Sequence, residues 1–240
     1  MIRHGRWCEV GAELGMSGGG RVHVAAVADW LPDDEMSSAA LREVLGSAYD
    51  RYLETTSRTT RERLLASRLM LRAAVADSLG CADREIRLHT EPGRPPRAQR
   101  YGVRAPVGIS LSHTATAVAV AVATDGTVGV DIEPCDRPIY SRTFAAAVGH
   151  PRELTDLARL EPDGRNAALV AVWTMKEAVL KARGVGLTVD PRQVCVGLPA
   201  RGAAATIRDI AGPDGHRTRI ATTTHRGLRI STARQRVQHA

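Results

Sequence analysis

The stretch Trp173-Thr-Met-Lys-Glu-Ala-Val-Leu-Lys-Ala-Arg183 is the most informative segment of this 240-residue chain. Its apolar spacing predicts a long helix, on which Trp173, Glu177 and Lys181 lie four residues apart along one face. The chain has 31 arginines but only two lysines, and both lysines occur in this stretch. A compact, titratable ammonium differs chemically from a rigid guanidinium that is always protonated. The stretch therefore indicates a reactive site, with a simple ion pair on a helix surface as the alternative.

The chain divides into two halves with a similar order of elements. In the second half, a strand over 128–132 and a helix over 151–160 precede the long helix. In the first half, a strand over 21–27 and a helix over 38–53 precede a long helix that starts near Thr59 and stops at Gly80. The spacing from Val22 to Leu69 equals that from Val128 to Met175. We therefore expect an α/β (α+β) fold made of a pseudo-twofold pair of similar α/β halves.

The boundaries follow from composition and turn signals. Residues 1–20 end in Ser17-Gly-Gly-Gly20 and predict a flexible leader, whereas 233–240 predict a polar tail. The turn at Asp125-Gly126 separates an N-terminal half, 21–125, from a C-terminal half, 126–232. The remaining predicted strands are 85–90, 107–113, 117–123, 193–198, 205–210, 217–222 and 228–231.

Composition narrows the classes of function. Lysine plus arginine exceed aspartate plus glutamate by 33 − 26 = 7, which favours anionic partners. Aromatic residues make up only 3% of the chain, too few for the stacking platforms of single-stranded nucleic-acid binders, so nucleic acid is not an expected partner. The apolar run from 115 to 123 is far shorter than the ~20 residues of a membrane span. Four scattered cysteines without CxxC spacing indicate neither a zinc site nor a disulfide framework, and favour the reducing cytoplasm.

The segment Gly129-Val-Asp-Ile-Glu-Pro134 brings two carboxylates together. Asp131 and Glu133 are two residues apart on a strand and point to the same side. Carboxylates so placed repel each other unless a cation lies between them, and Mg²⁺ is the usual oxygen-bound ion. The alternative is that both side chains point to solvent. Glu177, in the lysine-containing stretch, supplies a third acid and favours the metal site.

Three other residues could contact phosphate groups. Ser112 and His113 end a predicted strand, where a hydroxyl and an imidazole can hydrogen-bond phosphate oxygens. Arg94, in Pro92-Gly-Arg-Pro-Pro96, lies on a stiff loop that suits bidentate phosphate binding. The simpler alternatives are a structural histidine and a solvated loop charge.

These motifs resemble a known family. The segments Gly129-Val-Asp-Ile-Glu133 and Trp173-Thr-Met-Lys-Glu-Ala-Val-Leu-Lys181 are similar to the paired signatures of the 4′-phosphopantetheinyl transferases of the longer, Sfp-like type. The resemblance extends to Gly93-Arg-Pro95, to Leu111-Ser-His113 and to the arginine-rich helix over 58–72. It covers nearly everything from Arg21 to about Ile230.

The resemblance implies an enzyme that transfers the phosphopantetheine arm of coenzyme A to a serine of an apo acyl or peptidyl carrier protein and releases adenosine 3′,5′-bisphosphate. It implies Mg²⁺ at Asp131, Glu133 and Glu177. It also implies that Glu177 acts as base and that Lys181 contacts the phosphates and the leaving oxygen. Lys176 belongs to the motif but has no implied catalytic role.

By the same resemblance, the coenzyme lies in a cleft between the halves. Ser112, His113 and Arg94 are implied contacts of the adenosine bisphosphate end, with Arg63 and Arg51 reaching its phosphates. Arg94 stands where relatives commonly have lysine, and Leu64 stands where relatives often have a hydroxyl. A chain with both halves implies a monomer, and its positive charge fits acidic carrier helices docking beside 135–154, where Phe144 is an exposed apolar candidate.

Two other functions remain open from the sequence. A non-catalytic coenzyme A or nucleotide-binding module of the same fold would be expected to lack a metal ligand or Lys181, and this chain lacks neither. A basic nucleic-acid-binding regulator would use the helix arginines and would show strong salt dependence. The helix arginines are Arg58, Arg61, Arg63, Arg68 and Arg72.

Overall fold

The computed structural model describes residues 6–16, 19–91, 94–200, 202–211 and 217–236. In chain order the strands are β1 (Cys8–Glu9), β2 (Gly20–Ala26), β3 (Ile86–His89), β4 (Arg97–Arg100), β5 (Val103–Arg104), β6 (Gly108–His113), β7 (Ala117–Ala123), β8 (Gly126–Pro134), β9 (Ala205–Ala211), β10 (Arg217–His225) and β11 (Leu228–Arg236). The α-helices are α1 (Ser38–Leu45), α2 (Tyr49–Glu54), α3 (Arg58–Leu79), α4 (Arg142–Val148), α5 (Pro151–Ala158) and α6 (Pro162–Ala182).

The predicted pair of similar α/β halves is confirmed. The first half has an antiparallel sheet of order β1-β2-β7-β6, and the second has one of order β8-β11-β10-β9. In each half the first long strand pairs with the last strand, and the last strand pairs with the one before it. One long helix, α3 or α6, packs on each sheet. A small third sheet, β3-β4-β5, has no counterpart in the second half.

Strand β7, Ala-Val-Ala-Val-Ala-Val-Ala, joins the cores of the two halves. Every residue of it is buried, which a strand achieves only when both of its faces are covered. Its valines belong to the core that contains the apolar residues of α3. Its alanines pack with Val128, Val130 and Ile132 of β8. Small side chains on the second face therefore bring the two sheets close together.

Two boundary predictions are corrected by the structure. Residues 6–16 are not a flexible leader, because β1 pairs with β2 and because Val10 and Leu14 are buried in the core. Residues 233–236 are not a polar tail, because β11 continues through them and Ala233 has no exposed surface. Residues 1–5, 17–18 and 237–240 lie outside the described part of the chain.

Two element predictions also change. The single helix expected over 38–53 is divided at Gly46, whose positive φ of 52° with ψ of −127° is a conformation that glycine adopts far more readily than other residues. The strand expected over 193–198 is irregular, although Val194 and Val196 are buried with the core of the second half. In contrast, α3 ends at the predicted glycine, since Gly80 caps it with φ 62° and ψ 39°. None of the described helices is long and apolar enough to cross a membrane.

Candidate active site

From Ala168 onward, helix α6 is exposed to solvent along one narrow stripe of side chains. From Ala168 to Ala182 every residue is buried except Trp173, Glu177 and Lys181, which are half-buried. Their four-residue spacing is the face predicted from the sequence. The rest of the helix is enclosed by the sheet of the second half and by α5. Any ligand that contacts this part of α6 therefore meets the side chains of these three residues.

Lys181 connects this stripe to the carboxylate motif on β8. Its Nζ donates hydrogen bonds to Asp131 Oδ1 at 2.6 Å and to the Val130 carbonyl at 3.1 Å. The Lys181 side chain is 28% exposed, whereas that of Asp131 is 8% exposed. The ammonium therefore rests on a fixed, nearly buried carboxylate and keeps some of its donors open to a ligand. The alternative of an isolated surface pair within one helix does not hold, because the partner of Lys181 lies on a strand.

Two serines of β6 join the halves at this point. Ser112 Oγ donates to Asp131 Oδ1 at 2.7 Å, and Ser110 Oγ accepts from the Val130 N–H at 3.0 Å. The two edge strands, β6 and β8, thus meet through serine hydroxyls. Ser112 is buried and its hydroxyl orients Asp131, and the phosphate contact predicted for it from the sequence stays a prediction. Ser110 was not predicted as a site residue, and only its alternation with Ser112 on one strand could have indicated it.

Close packing of α6 on β8 depends on Gly129. A Cβ at this position would lie 1.9 Å from the Ala178 carbonyl oxygen, inside any permitted contact distance. Only glycine therefore allows the helix to approach the strand so closely. This close approach sets the distance between Lys181 and Asp131, which explains the glycine at the start of the carboxylate motif.

The other two carboxylates lie near Asp131 but have different partners. Glu133 forms an ion pair with Arg137, and burial raises its pKa above the ordinary value of 4.5. Burial likewise raises the pKa of Glu177, an effect that Lys181 opposes. The negative charges of Asp131 and Glu133 raise it further. The three carboxylates are therefore close enough to repel one another.

Within the described ranges, no group of three or more His, Cys, Asp or Glu side chains converges closely enough to hold a metal ion as the side chains stand. The residues nevertheless fit a hard divalent cation. Asp131 Oδ2 is buried without a hydrogen-bond partner, an arrangement that is costly for a carboxylate oxygen. A cation bound beside it would satisfy this atom and offset the repulsion from Glu133 and Glu177.

A group of basic residues from the first half of the chain lies beside the site. His113 lies at the end of β6, and its pKa lies below the ordinary 6.5, first because neighbouring protein groups partly desolvate the ring. Arg63, Lys181 and Arg51 then lower it further through their positive charges. Neither Arg51 nor Arg63 forms an ion pair within the described residues. The structure therefore brings together four of the predicted phosphate contacts, without acidic partners for the two arginines.

Arg68 adds to this uncompensated charge. It is buried on α3, and burial together with Arg51 lowers its pKa to about 10. Its Nη2 donates to Thr90 Oγ1 at 3.1 Å, but its Nε has no partner. Such concentrated positive charge is stabilised when an anion binds.

Arg94 lies on the loop before β4. It pairs with Glu91 at 3.3 Å, and both side chains are more than half exposed, so the pair restrains Arg94 only weakly. Arg94 and Lys181 both line a cavity of about 210 Å³ between the loop before β4, strand β6 and the turn after α6. This cavity extends the site from the carboxylates toward the predicted coenzyme contact.

Lys176, the second lysine, has a different environment. Its side chain is fully buried and pairs with the fully buried Glu153 of α5 at 2.7 Å. Its Nζ also donates to the Pro191 carbonyl at 2.9 Å. Glu153 could not be recognised from the sequence, because nothing in the local pattern of α5 distinguishes it from a surface acid. Lys176 thus contacts structural groups, and the stripe of Trp173, Glu177 and Lys181 lies on another face.

Phe144, predicted as an exposed docking residue, is half-buried. Its ring packs edge-on against Trp173, with the ring centroids 5.5 Å apart. The prediction of a free apolar side chain is therefore corrected. The contact holds α4 beside the stripe of α6.

The second half of the chain matches a known protein family. Residues 127–232 match the family model of the 4′-phosphopantetheinyl transferase superfamily. The match contains α6, all of β8 except Gly126, and the site carboxylates.

Curated relatives carry the same name. A putative 4′-phosphopantetheinyl transferase of Synechocystis is 30% identical over 56% of this chain and 54% of its own length. The 4′-phosphopantetheinyl transferase AcpT of Salmonella typhimurium is 32% identical over 40% and 48%, respectively. A phosphopantetheinyl transferase of Thraustochytrium is 27% identical over 67% and 59%. The matches thus span about half the length of these relatives.

Proposed function

We propose that this protein is a 4′-phosphopantetheinyl transferase that moves the phosphopantetheine group of coenzyme A to a serine of an acyl or peptidyl carrier protein. The observation that supports this most directly is the contact between Lys181, Asp131 and Ser112. It combines a partly exposed ammonium, a buried carboxylate with one free oxygen, and both halves of the chain in one hydrogen-bonded group. The similarity of residues 127–232 to the transferase superfamily supports the same reaction.

The reaction exchanges one phosphorus–oxygen bond for another. The carrier serine oxygen attacks the phosphorus that bears the pantetheine, and the bond to the adenosine bisphosphate oxygen breaks. The serine proton must be accepted, and negative charge develops on the leaving oxygen. Catalysis therefore requires alignment, a proton acceptor and positive charge at the phosphates.

The residues of the site fit these tasks. We assign proton acceptance, directly or through water, to Glu177, whose raised pKa makes it a stronger base than an exposed glutamate. Lys181 is assigned to the phosphates and the leaving oxygen, because Asp131 fixes its position and leaves it 28% exposed. Asp131, Glu133 and Glu177 would hold Mg²⁺, which when bound neutralises charge on the pyrophosphate.

The basic residues are assigned to coenzyme A. Arg51, Arg63 and His113 would bind the phosphates of the adenosine end, since they form one cationic group beside Lys181. Arg94 would contact the coenzyme from the neighbouring cavity. Ser112 would act by holding Asp131.

We further propose the longer, Sfp-like type, acting as a monomer in the cytoplasm. One chain supplies both walls of the site, β6 from the first half and β8 with α6 from the second. The four free thiols are compatible with a reducing compartment.

The test is the intact mass of an apo carrier protein incubated with the protein, coenzyme A and Mg²⁺. We expect a gain equal to one phosphopantetheine group. Glu177→Gln and Lys181→Ala should lose this gain, whereas Glu161→Gln, an exposed acid at the start of α6, should retain it. Binding of coenzyme A without any gain on several unrelated carriers would favour a non-catalytic coenzyme-binding module.

A further inference from the structure

A second basic cavity lies behind the proposed coenzyme site. Its volume is about 190 Å³, and it lies between β4 and β5, the start of β8 and the C-terminal end of α6. Four basic residues line it: Arg97, Arg104, Lys181 and Arg183. None of the described residues that line it is acidic.

The guanidinium of Arg183 is the key group of this cavity. Its Nε and Nη2 are buried and have no hydrogen-bond partner. Buried donors of this kind normally have partners, because an unsatisfied buried charge is destabilising. Arg183 follows the last residue of α6, where the helix dipole favours positive charge, but the dipole supplies no hydrogen bond to these two nitrogens. These two nitrogens are therefore unsatisfied within the described residues, in a side chain that lines the cavity.

Arg97 and Arg104 add further positive charge to the cavity. Both are exposed, and neither forms an ion pair or a side-chain hydrogen bond within the described ranges. Many other arginines of the described chain do form ion pairs, for example Arg72 with Glu43 and Arg100 with Glu85. Three arginines without acidic partners around one cavity create a strongly positive potential. Planar guanidinium groups are well suited to bind tetrahedral oxyanions by paired hydrogen bonds.

We propose that this cavity binds a phosphate-sized oxyanion through Arg183, Arg97 and Arg104. The site is separate from the cationic group of Arg51, Arg63 and His113, which line no part of it. It adjoins the cavity assigned to coenzyme A, and the two cavities share the lining residues Pro95, Pro96, Ile109, Lys181 and Gly184. The inference concerns binding alone and does not depend on the transfer reaction.

The test uses inorganic phosphate as the probe, at constant ionic strength set with sodium chloride. Phosphate should raise the unfolding temperature of the full-length protein in a saturable manner, which sodium chloride alone should not do. The effect should persist when adenosine 3′,5′-bisphosphate is present at saturation, because that compound would fill the other cationic group.

Variants locate the site. Arg97→Gln/Arg104→Gln changes two exposed residues, so folding should be retained, and phosphate should bind at least about tenfold more weakly because two charge-assisted contacts are lost. Arg183→Gln should remove the saturable effect. Arg152→Gln/Arg159→Gln, an equal change in net charge on exposed residues at α5, should bind phosphate as the unmodified protein does.

Three results would overturn the proposal. They are the absence of saturable binding, binding that is equal in all the variants, and complete displacement of phosphate by adenosine 3′,5′-bisphosphate. Competition by 4′-phosphopantetheine that depends on Arg183 would assign the cavity to an esterified phosphate. Retained phosphate binding without that competition would assign it to free phosphate. In a protein that binds phosphate but transfers nothing to a carrier, this inference stands and the proposed function fails.

Discussion

Replacing Lys176 with methionine would remove the cation from an ion pair in which both side chains are fully buried. The remaining Glu153 carboxylate would still accept hydrogen bonds from the backbone N–H groups of Val196, Gly197 and His150. Loss of one partner of a buried pair costs about 3–5 kcal/mol. Because three donors remain, we expect Lys176→Met to cost about 3 kcal/mol, the lower end of that range.

The reverse replacement, Glu153→Gln, should be more damaging. The amide oxygen can take the place of Oε1, but the amide NH₂ then faces two donors, the His150 N–H and the Lys176 ammonium. The buried ammonium would retain only the Pro191 carbonyl as an acceptor. We therefore expect a cost of about 5 kcal/mol, the upper end of the range.

The double variant tests the coupling between these residues. With both charges removed, the cost should fall short of the sum of the single costs by about 2 kcal/mol, since neither partner is left as an unpaired buried charge. Denaturant unfolding of the four proteins measures these free energies directly. Arg159→Met and Asp156→Asn serve as controls, because they alter an exposed ion pair at the C-terminal end of α5, the helix that carries Glu153. Each should change stability by less than about 1 kcal/mol. Single costs below about 1 kcal/mol, or strict additivity, would contradict the presence of a buried, coupled ion pair.

Three further predictions follow from the site. Gly129→Ala on β8 should destabilise the protein by about 3 kcal/mol, because the new Cβ would overlap the Ala178 carbonyl oxygen of α6. Gly164→Ala, near the start of α6 and without a close neighbour, should instead stabilise the protein by about 0.5 kcal/mol in denaturant unfolding. Glu177→Gln should raise the unfolding temperature at pH 7 in the presence of EDTA. Because the pKa of Glu177 is raised in the folded protein, stability is lost as pH rises from 4.5 through that raised pKa. An unfolding temperature of the variant equal to or below that of the unmodified protein would contradict this. Because the pKa of His113 is lowered in the free protein and bound phosphate would raise it, coenzyme A should bind more tightly as pH falls through 6.5 and below it. Titration calorimetry should show proton uptake that His113→Gln reduces, and unchanged uptake in that variant would argue against a phosphate contact.

The elements that carry the site could be predicted from the sequence, because their apolar residues recur with the period of a helix or a strand. The stripe of Trp173, Glu177 and Lys181 follows from helical spacing alone, and the structure places it on the open face of α6. Gly80 likewise ends α3 as predicted, since a left-handed residue is needed there. The carboxylates of β8 were predicted from strand alternation, and their strand lies directly beneath α6.

Other features depend on contacts between distant segments and could not be predicted locally. The role of Ser112 depends on β6 lying beside β8, which no local pattern specifies. The pairing of Lys176 with Glu153 depends on how α5 packs against α6. The two residues of β1 are too few for a periodic signal, so this segment was mistaken for a leader.

Transfer at this site can be measured through both products of one reaction. The protein, coenzyme A, Mg²⁺ and an apo carrier protein are combined, and the modified carrier and released adenosine 3′,5′-bisphosphate are quantified together. The proposed function predicts equal amounts of the two, with the new group on a carrier serine, and neither product with Glu177→Gln. Binding of coenzyme A with no adenosine 3′,5′-bisphosphate released, or its release without carrier modification, would contradict transfer at this site.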